Sequence, residues 1–459
     1  YENIGDNHMS IKLRELTIKH LKNVDYGNIK FWDNNGFVNV LGIYGQNGSG
    51  KTTVVDAMEI IKQLIAGRPI PDNSLGIFNT DNEKNELPSI LIEIEDEDNL
   101  VLRYKVEFIS NESTNEQTVF VAKESILYKS LKPYERFKSL YEFSILNILD
   151  NPEQNAGMLK SRTKILSNDA IEFLTNSSMR EYSSYLFSKN FTTRIERSEG
   201  NLTEKEVISI FKKFGEHIRI YTQQSANMIG MGTMPININY QDGDYGFQGT
   251  LPAILSKGGF PVPREIIPIY EETVKYMNEI IPTIIPDLTI EMNISDTSTN
   301  QNGTQLDTVH FFANRNGKVF SLIHESEGIK KIISMIGVIV EVFNQPDTVA
   351  VIDELDSGIF EYLLGELIEI FSKDTQGQLI FTSHNLRVLE MLPTRQIRFS
   401  TTNPDNRYIT LKGIKTTNNL RDVYLRSILL GGADEELYSG KSQSKIRRSL
   451  RKAGRYIGE

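Results

Sequence analysis

The stretch that decides the fold is Gly45-Gln46-Asn47-Gly48-Ser49-Gly50-Lys51-Thr52, a complete G-x-x-x-x-G-K-[ST] loop, the Walker A pattern. It follows an apolar run at 38–44 that predicts a buried strand, and it precedes a run at 53–65 whose apolar spacing predicts a helix. In such a loop, backbone N–H groups converge on phosphates at the positive end of the helix dipole. Because strand, loop and helix occur together, we expect a nucleotide phosphate site and not merely a flexible loop.

The chemistry of the loop residues predicts ATP and Mg²⁺ as cofactors. We expect Lys51 to reach the β- and γ-phosphate oxygens and the Thr52 hydroxyl to hold Mg²⁺. The phosphate-binding residues are predicted to be Gly45, Gln46, Asn47, Gly48, Ser49, Gly50, Lys51, Thr52 and Thr53.

Composition restricts the class of protein. The chain has 459 residues with a net charge of −10, enough to bury one large core or two medium ones. It contains no cysteine, which excludes disulfides, Cys-ligated zinc and thiol catalysis and favours the reducing cytoplasm. The longest apolar run, 332–343, is too short to span a bilayer, and no signal peptide opens the chain. We therefore expect a cytoplasmic protein without membrane contact.

Pattern changes divide the chain into five segments. Strand-like runs at 88–95, 100–108 and 118–128 predict an antiparallel β subdomain beside the phosphate loop. Helical spacing from about residue 132, with Tyr134, Phe137 and Tyr141, predicts an inserted helical region. We interpret 230–250 as an irregular glycine-rich loop, and expect strands to resume at 288–294, 308–312 and 319–323. The predicted segments are a cloning remnant at 1–8, the Walker A part of the head with its β subdomain at 9–130, a helical insertion at 131–215, the second part of the head at 216–415, and a C-terminal extension at 416–459.

A second apolar run, 348–352, ends in two carboxylates, Asp353 and Glu354. In phosphate-loop enzymes this is the Walker B pattern, in which Asp353 would bind Mg²⁺ through its water shell and Glu354 would orient or deprotonate the attacking water. Taken alone the pattern is weak, since many strands end in acidic residues.

A third apolar run, 378–383, ends in His384. A lone histidine is more often structural, but this one ends the strand expected beside the Walker B strand. There the imidazole would reach the γ-phosphate, so we predict a catalytic role for His384 together with Glu354.

Ser326-Glu327-Gly328 precedes the apolar helix at 332–343. A serine and a glycine at a helix N-terminus either cap the helix alone or form a second anion site, and the residues by themselves leave both interpretations open.

The motifs follow one another in a recognisable order: phosphate loop, Ser-x-Gly helix start, Asp-Glu strand with Asp356 just after it, and histidine strand. This order resembles the ABC-class ATPases, including the SMC, RecF and OLD heads. The resemblance implies an α/β fold, an ABC-type P-loop ATPase head with an antiparallel β subdomain and an inserted helical region. It also implies a homodimer or higher homo-oligomer in which Ser326 and Gly328 close on the γ-phosphate held by another subunit and Asp356 lies in the D-loop.

Two features depart from the pattern of that class. Glu327 stands where the signature of that class has a second glycine. The Q-loop glutamine is not identified, and Gln223 and Gln224, at the end of a predicted strand, are only candidates.

The number of residues between the motifs shows which branch of the ABC-class ATPases the chain resembles. About 300 residues separate Lys51 from Asp353, unlike a transporter cassette, yet they contain no long heptad coiled coil of the SMC type. About 75 residues follow His384, without the acidic cluster of the TOPRIM domain in OLD nucleases. The chain then resembles the AAA15/AAA21 group of standalone ATPases from bacterial phage-defence and abortive-infection systems, such as PARIS-type or AbiL-type systems.

That group implies a switch ATPase that senses infection and controls a separately encoded toxic effector, such as a TOPRIM-like nuclease, with a phage-encoded trigger as a further partner. The alternative is a RecF/SMC-like DNA-repair ATPase that binds duplex DNA. A third hypothesis is a degenerate nucleotide-binding scaffold, against which the intact Lys51, Asp353 and Glu354 argue.

The end of the chain is strongly basic. Residues 441–455 hold seven cations and no acid: Lys441, Lys445, Arg447, Arg448, Arg451, Lys452 and Arg455. Ile446, Leu450, Ala453 and Ile457 fall on one helical stripe. Such a helix either docks on the acidic body of its own chain or contacts nucleic acid or an acidic protein. A membrane-surface helix is disfavoured, because the stripe lacks Trp and Phe.

Overall fold

A computed structural model describes residues 10–79, 86–111, 118–132, 134–151, 154–161, 166–197, 202–242, 245–411, 419–430, 434–438 and 442–456. The predicted cloning remnant at 1–8, and Lys441 and Ile457 of the basic segment, lie outside these residues. None of the helices within the described ranges is both long and apolar enough to cross a membrane.

A seven-stranded antiparallel sheet occupies the N-terminal part of the chain. Its strands are β1 (Lys12–Leu21), β2 (Val24–Lys30), β6 (Ser89–Glu95), β7 (Leu100–Asn111), β8 (Thr118–Ser130), β9 (Lys138–Ser144) and β10 (Met158–Ser161). Their order across the sheet is β10-β9-β8-β7-β6-β1-β2. Buried and half-buried positions largely alternate along β1, since one face of an antiparallel sheet covers the core. A small hairpin, β3 (Trp32–Asp33) with β4 (Gly36–Phe37), follows β2.

A second sheet carries the motifs. Its strands are β5 (Val40–Tyr44), β11 (Ile218–Tyr221), β18 (Val349–Ile352), β19 (Gln378–Ser383), β20 (Ile397–Ser400) and β21 (Tyr408–Ile409). The order is β11-β18-β19-β5-β20-β21, and every neighbouring pair is parallel except the last. All residues of β5, β18 and β19 are buried, as expected for a sheet covered on both faces. The loops after these three strands therefore meet at one edge.

Helix α1 (Lys51–Ile65) packs between the two sheets, contacting β1 on one side and β11 and β18 on the other. Its apolar residues are fully buried because both of its faces meet a sheet. The inserted helices follow in the chain: α2 (Leu146–Asp150), α3 (Asn168–Glu181), α4 (Lys189–Arg197) and α5 (Leu202–Glu216). Among them α5 packs directly on α1 and joins the same core.

The opposite face of the parallel sheet has its own core. Helix α8 (Glu327–Asn344) packs there against β18 and a hairpin. The other elements on this side are α6 (Gln223–Gly230), β12 (Thr233–Asp242), β13 (Tyr245–Ile254), β14 (Phe260–Pro263), α7 (Ile267–Ile284), β15 (Leu288–Thr299), β16 (Gln305–Arg315), β17 (Lys318–Ser321), α9 (Glu361–Asp374) and α10 (Val388–Met391). The strands predicted at 288–294, 308–312 and 319–323 correspond to β15, β16 and β17.

Two local predictions are wrong. The helical pattern predicted from residue 132 fails at β9, which extends the antiparallel sheet beyond β8; Tyr141 and Phe143 are buried there at a spacing of two. The irregular loop predicted at 230–250 is instead the β12–β13 hairpin. Ile236 and Ile238 alternate with asparagines along β12, so tertiary packing on α8 overrides the low strand propensity of Asn and Gly.

The C-terminal extension contains α11 (Leu420–Leu430) and α12 (Gln443–Tyr456). Leu420 and Tyr424 of α11 are buried, whereas every side chain described in α12 is exposed, including 46% of Ile446 and 69% of Leu450. The interpretation in which this basic helix docks on its own chain is therefore wrong for the described residues.

Candidate functional site

The phosphate loop connects the buried strand β5 to the N-terminus of α1. Gly50 is the residue before the helix and has a φ of 86°, a left-handed conformation that a side chain disfavours. A Cβ there would also lie 2.8 Å from Val24 Cγ2 of the antiparallel sheet. The Ser49 hydroxyl donates to the Gln46 carbonyl at 2.7 Å, which closes the loop on itself. The sequence therefore builds a rigid turn in front of the helix.

Lys51 folds back over the phosphate loop. Its Nζ donates to the carbonyls of Gly45 and Gln46, each at 2.9 Å. Burial lowers the pKa of Lys51 to about 8, and the negative charges of Asp353, Glu354 and Asp356 oppose that shift. The Lys51 ammonium thus lies within the loop in which the phosphate oxygens are expected to bind.

The two predicted metal ligands face each other across the sheet edge. Thr52 Oγ1 lies 3.4 Å from Asp353 Oδ1. The same carboxylate oxygen accepts a hydrogen bond of 2.6 Å from Thr382 Oγ1 at the end of β19. Hydroxyl and carboxylate oxygens are the ligands that Mg²⁺ prefers, so this donor set fits the predicted ion.

Glu354 is held by its backbone. It has a φ of 48°, a left-handed conformation that is uncommon for a residue with a side chain and often marks functional sites. Its N–H donates to Thr382 Oγ1 at 2.7 Å, and its carbonyl accepts from Lys331 Nζ at 2.5 Å. Because the N–H and the carbonyl of Glu354 are both hydrogen-bonded, the backbone that carries its carboxylate is fixed in position at the site.

His384 lies beside these carboxylates at the end of β19. Its backbone N–H donates to Asp356 Oδ2 at 3.1 Å. Partial burial, followed by the positive charge of Lys51, lowers the pKa of the imidazole, so the neutral form is favoured near pH 7. A cavity of about 350 Å³ is lined by Asn47, Glu354, Asp356, Ser357 and His384.

The Ser-x-Gly segment begins α8, as predicted. Ser326 Oγ accepts from the Ile329 N–H at 3.3 Å and caps the helix. Gly328 packs against the segment after Walker B: a Cβ there would lie 1.9 Å from the Gly358 carbonyl oxygen. Lys331 adds a further link within the chain, since its Nζ also donates to the Ser357 carbonyl at 3.0 Å. The N-cap interpretation is confirmed, and a role toward a second subunit stays a prediction.

The candidate glutamines occupy a place next to Walker B. Strand β11 pairs in parallel with β18, and Gln223 and Gln224 open α6 directly after it, behind the N-cap Thr222. Their position fits a Q-loop, but no contact to the phosphate loop distinguishes one from the other.

Sequence reasoning missed four residues that shape the site. Thr382 and Lys331 bind the Walker B segment, as above. The Asn23 side chain donates to the Gly48 carbonyl from the β1–β2 turn, and Tyr408 OH donates to the Gly50 carbonyl at 2.6 Å. Thr382 has a recognisable signal, since it directly precedes the Ser383-His384 end of a buried strand; the other three approach the site only through folding.

The fold and the site together define a P-loop ATPase head of mixed α/β class with an antiparallel β subdomain. The family model described as "AAA ATPase domain" (AAA_15) matches residues 11–389. The chain belongs to this family.

Solved structures with a similar fold include SMC head domains. An Smc head with an extended coiled coil, bound to the C-terminal domain of ScpA and derived from Pyrococcus furiosus, has 13% sequence identity and a TM-score of 0.41, covering 87% of this chain and 96% of that one. The SMC head domain from Thermotoga maritima has 13% identity and a TM-score of 0.38, covering 87% and 99%. None of the curated proteins compared with this chain matches it.

Proposed function

We propose that this chain binds ATP with Mg²⁺ and hydrolyses it. The observation that carries the proposal is the meeting of Lys51, Thr52, Asp353, Glu354 and His384 at one edge of the parallel sheet. These five residues are contributed by the start of α1 and the ends of two strands, β18 and β19, so their proximity depends on the fold and not on chain neighbours. Membership of an ATPase domain family supports the same conclusion.

Each residue has a distinct task in this proposal. Lys51 and the loop N–H groups bind the phosphates, and Thr52 and Asp353 hold Mg²⁺, which neutralises phosphate charge when bound. Glu354 orients a water molecule and accepts its proton. The neutral His384 supplies a hydrogen bond toward the γ-phosphate, because its lowered pKa leaves it uncharged near pH 7.

We further propose that two copies enclose the nucleotide. In a single chain the catalytic edge is open: Asn47, Ser326, Ser357 and His384 are all exposed. Hydrolysis by a positioned water needs exclusion of bulk solvent, and a second copy that brings Ser326 and Gly328 to the γ-phosphate would provide it. Hydrolysis would then release the copies, because the contacts to the γ-phosphate would be lost, as in other nucleotide switches.

The biological role that we propose is control of a separately encoded toxic effector in phage defence. Its support is the resemblance of the motif order and spacing to the AAA15/AAA21 defence ATPases, and the AAA_15 match over most of the chain. Expressed alone, the chain should neither slow growth nor protect against phage. Expressed with its operon partner it should protect, and protection by the chain alone would contradict the proposal.

A second candidate function, duplex DNA binding in repair, is favoured by one observation. The exposed helix α12 presents Lys445, Arg447, Arg448, Arg451 and Lys452 without acidic neighbours on the helix. Stimulation of ATP turnover by duplex DNA, lost on truncation before residue 442, would support this candidate over effector control.

The hydrolysis proposal is tested with two variants. Glu354→Gln should abolish turnover while ATP still binds, because the amide keeps the shape but accepts no proton. Lys51→Ala should weaken ATP binding itself. Nucleotide affinity and phosphate release are measured for both proteins. Turnover near the wild-type rate in Glu354→Gln would remove Glu354 from catalysis.

A further inference from the structure

A cavity of about 780 Å³ opens at the far end of α1 from the phosphate loop. The helix has 15 residues, so the two sites lie on the order of 20 Å apart along its axis. The walls come from the end of α1 and the turn after it, the starts of α4 and β11, the end of α5 and the β12–β13 hairpin. Its volume falls in the range of small-molecule sites.

The lining of this cavity is strongly basic. Among its described residues, the only acid is Glu216, and the cations are Lys62, Arg68, Lys189, Lys212 and Arg219. Two of these cations are paired with acids outside the lining: Lys212 with Glu196 at 2.7 Å and Arg219 with Glu341 at 2.6 Å. No hydrogen bond or salt bridge joins the side chains of the other three to any part of the chain that the structure describes.

Lys62 experiences the crowding directly. Burial, together with the positive charges of Arg219 and Arg68, lowers the pKa of Lys62 to about 8, although the negative charges of Glu59 and Glu341 oppose the shift. Partly buried like charges are unfavourable unless an anion lies among them. The cavity therefore has cations in excess of the acids that could neutralise them.

Favourable interactions with helix dipoles account for only some of the cations that line the cavity. Lys62 lies in the last turn of α1, where a cation interacts favourably with the free carbonyls. Lys189, however, is the first residue of α4, where a cation opposes the helix dipole and an anion is favoured. Arg68 lies beyond the end of α1. Within the described residues, the side chains of Arg68 and Lys189 have no hydrogen-bond or ion-pair partner.

The walls are built by close packing and not by loose loops. Gly67 has a φ of 66°, and a Cβ there would lie 2.6 Å from the Phe187 carbonyl oxygen. Gly215 brings α5 onto α1 so closely that a Cβ would lie 2.7 Å from Ile65 Cγ2. Glycines at both contacts keep the wall geometry fixed, so the cations are held around a preformed space.

We propose that this cavity binds a small polyanion carrying two or more phosphate groups, at a site separate from the ATP site. The exposed Arg68 and Lys189 contact the phosphate group nearer to the solvent. The less exposed Lys62 and Arg219 contact the phosphate group deeper in the cavity. The site adjoins α1, which begins at Lys51, and it is linked to α8 through the ion pair of Arg219 with Glu341. Its occupancy is therefore expected to change ATP turnover.

The test uses inorganic tripolyphosphate as the probe and isothermal titration as the measurement. The Lys51→Ala protein removes the main phosphate ligand of the Walker A loop, and it should still bind one tripolyphosphate per chain. Adding Arg68→Ala and Lys189→Ala should weaken that binding by roughly a hundredfold, since two charge-assisted hydrogen bonds are lost. Both residues are exposed, so the variant should fold.

The matched control adds Lys213→Ala and Lys257→Ala to the same Lys51→Ala protein. Both lysines are exposed and lie outside the cavity, and their removal changes the net charge equally. The control should bind tripolyphosphate as tightly as the parent. Loss of binding in the parent, an equal loss in test and control, or binding of a duplex oligonucleotide but not of tripolyphosphate would each overturn the proposal. None of these results depends on whether ATP is hydrolysed.

Discussion

Thr382→Val tests how the Walker B segment is positioned. The threonine hydroxyl donates to Asp353 Oδ1 at 2.6 Å and accepts from the Glu354 N–H at 2.7 Å. One small group thus joins the predicted metal ligand to the predicted general base. Valine has nearly the same shape and leaves the packing of β19 intact, so the substitution removes the two hydrogen bonds and little else.

The magnitude follows from the two bonds. A hydrogen bond to a charged group contributes about 1.5–3 kcal/mol, and a buried N–H without a partner costs about 1–3 kcal/mol. If about 2 kcal/mol of this acts on the placement of Glu354 during hydrolysis, kcat falls about 30-fold, since 1.36 kcal/mol corresponds to a factor of ten. ATP affinity should change little, because Lys51 and the loop keep their contacts.

The control is a second threonine next to the same strand. Thr375 is buried, and within the described structure its hydroxyl has no hydrogen-bond partner. Thr375→Val should therefore leave kcat within about twofold of wild type. Steady-state phosphate release gives kcat, and equilibrium titration with ATP gives the affinity. The reasoning is refuted if Thr382→Val retains wild-type kcat, or if both valine variants lose activity to the same extent.

Three further predictions follow from the same site. The pKa of Lys51 is lowered to about 8, and because the charged form binds phosphate, ATP affinity should fall as the pH rises above about 8. Lys51→Arg stays charged, so its affinity should depend less on pH in ATP titrations at several pH values. Ser326→Arg should leave ATP binding by isolated subunits nearly intact and block ATP-driven dimerisation, measured by light scattering. Mixing this variant with Lys51→Ala should restore part of the ATPase activity. If heterodimers form but stay inactive, Ser326 does not act on the nucleotide of the other subunit. Gly328→Ala should abolish turnover, because its Cβ would lie 1.9 Å from the Gly358 carbonyl oxygen, and normal phosphate release by this variant would refute that contact.

The fold was predictable where a short segment determines its own structure. The strand, loop and helix around Lys51 follow from an apolar run, glycines and a periodic helix, all within about 30 residues. The predicted strands at 88–95, 100–108 and 118–128 were correct for the same reason, since apolar and polar side chains alternate along them.

The errors arise where a partner outside the segment decides its secondary structure. Tyr134, Phe137 and Tyr141 fall at helical spacing, yet residues 138–144 form β9 because the edge of β8 offers a free row of backbone groups to pair. The asparagine- and glycine-rich 233–254 region forms a hairpin because α8 provides an apolar surface for Ile236 and Ile238. Helix α8 is far from the hairpin in sequence and β8 immediately precedes β9, but both partners lie outside the segment whose structure they decide, so local propensity misleads in both places.

The sequence by itself determined the chemistry of the nucleotide site, because a phosphate loop needs only its own glycines, lysine and helix start. Only the tertiary structure decided what surrounds it. Thr382 reaches the Asp353 carboxylate and the Glu354 N–H because β19 lies beside β18, and Lys331 reaches the Glu354 carbonyl because α8 packs across the end of that strand. The basic cavity likewise exists only where the ends of several separate elements converge, since the charges that define it are far apart along the chain and are brought together by folding.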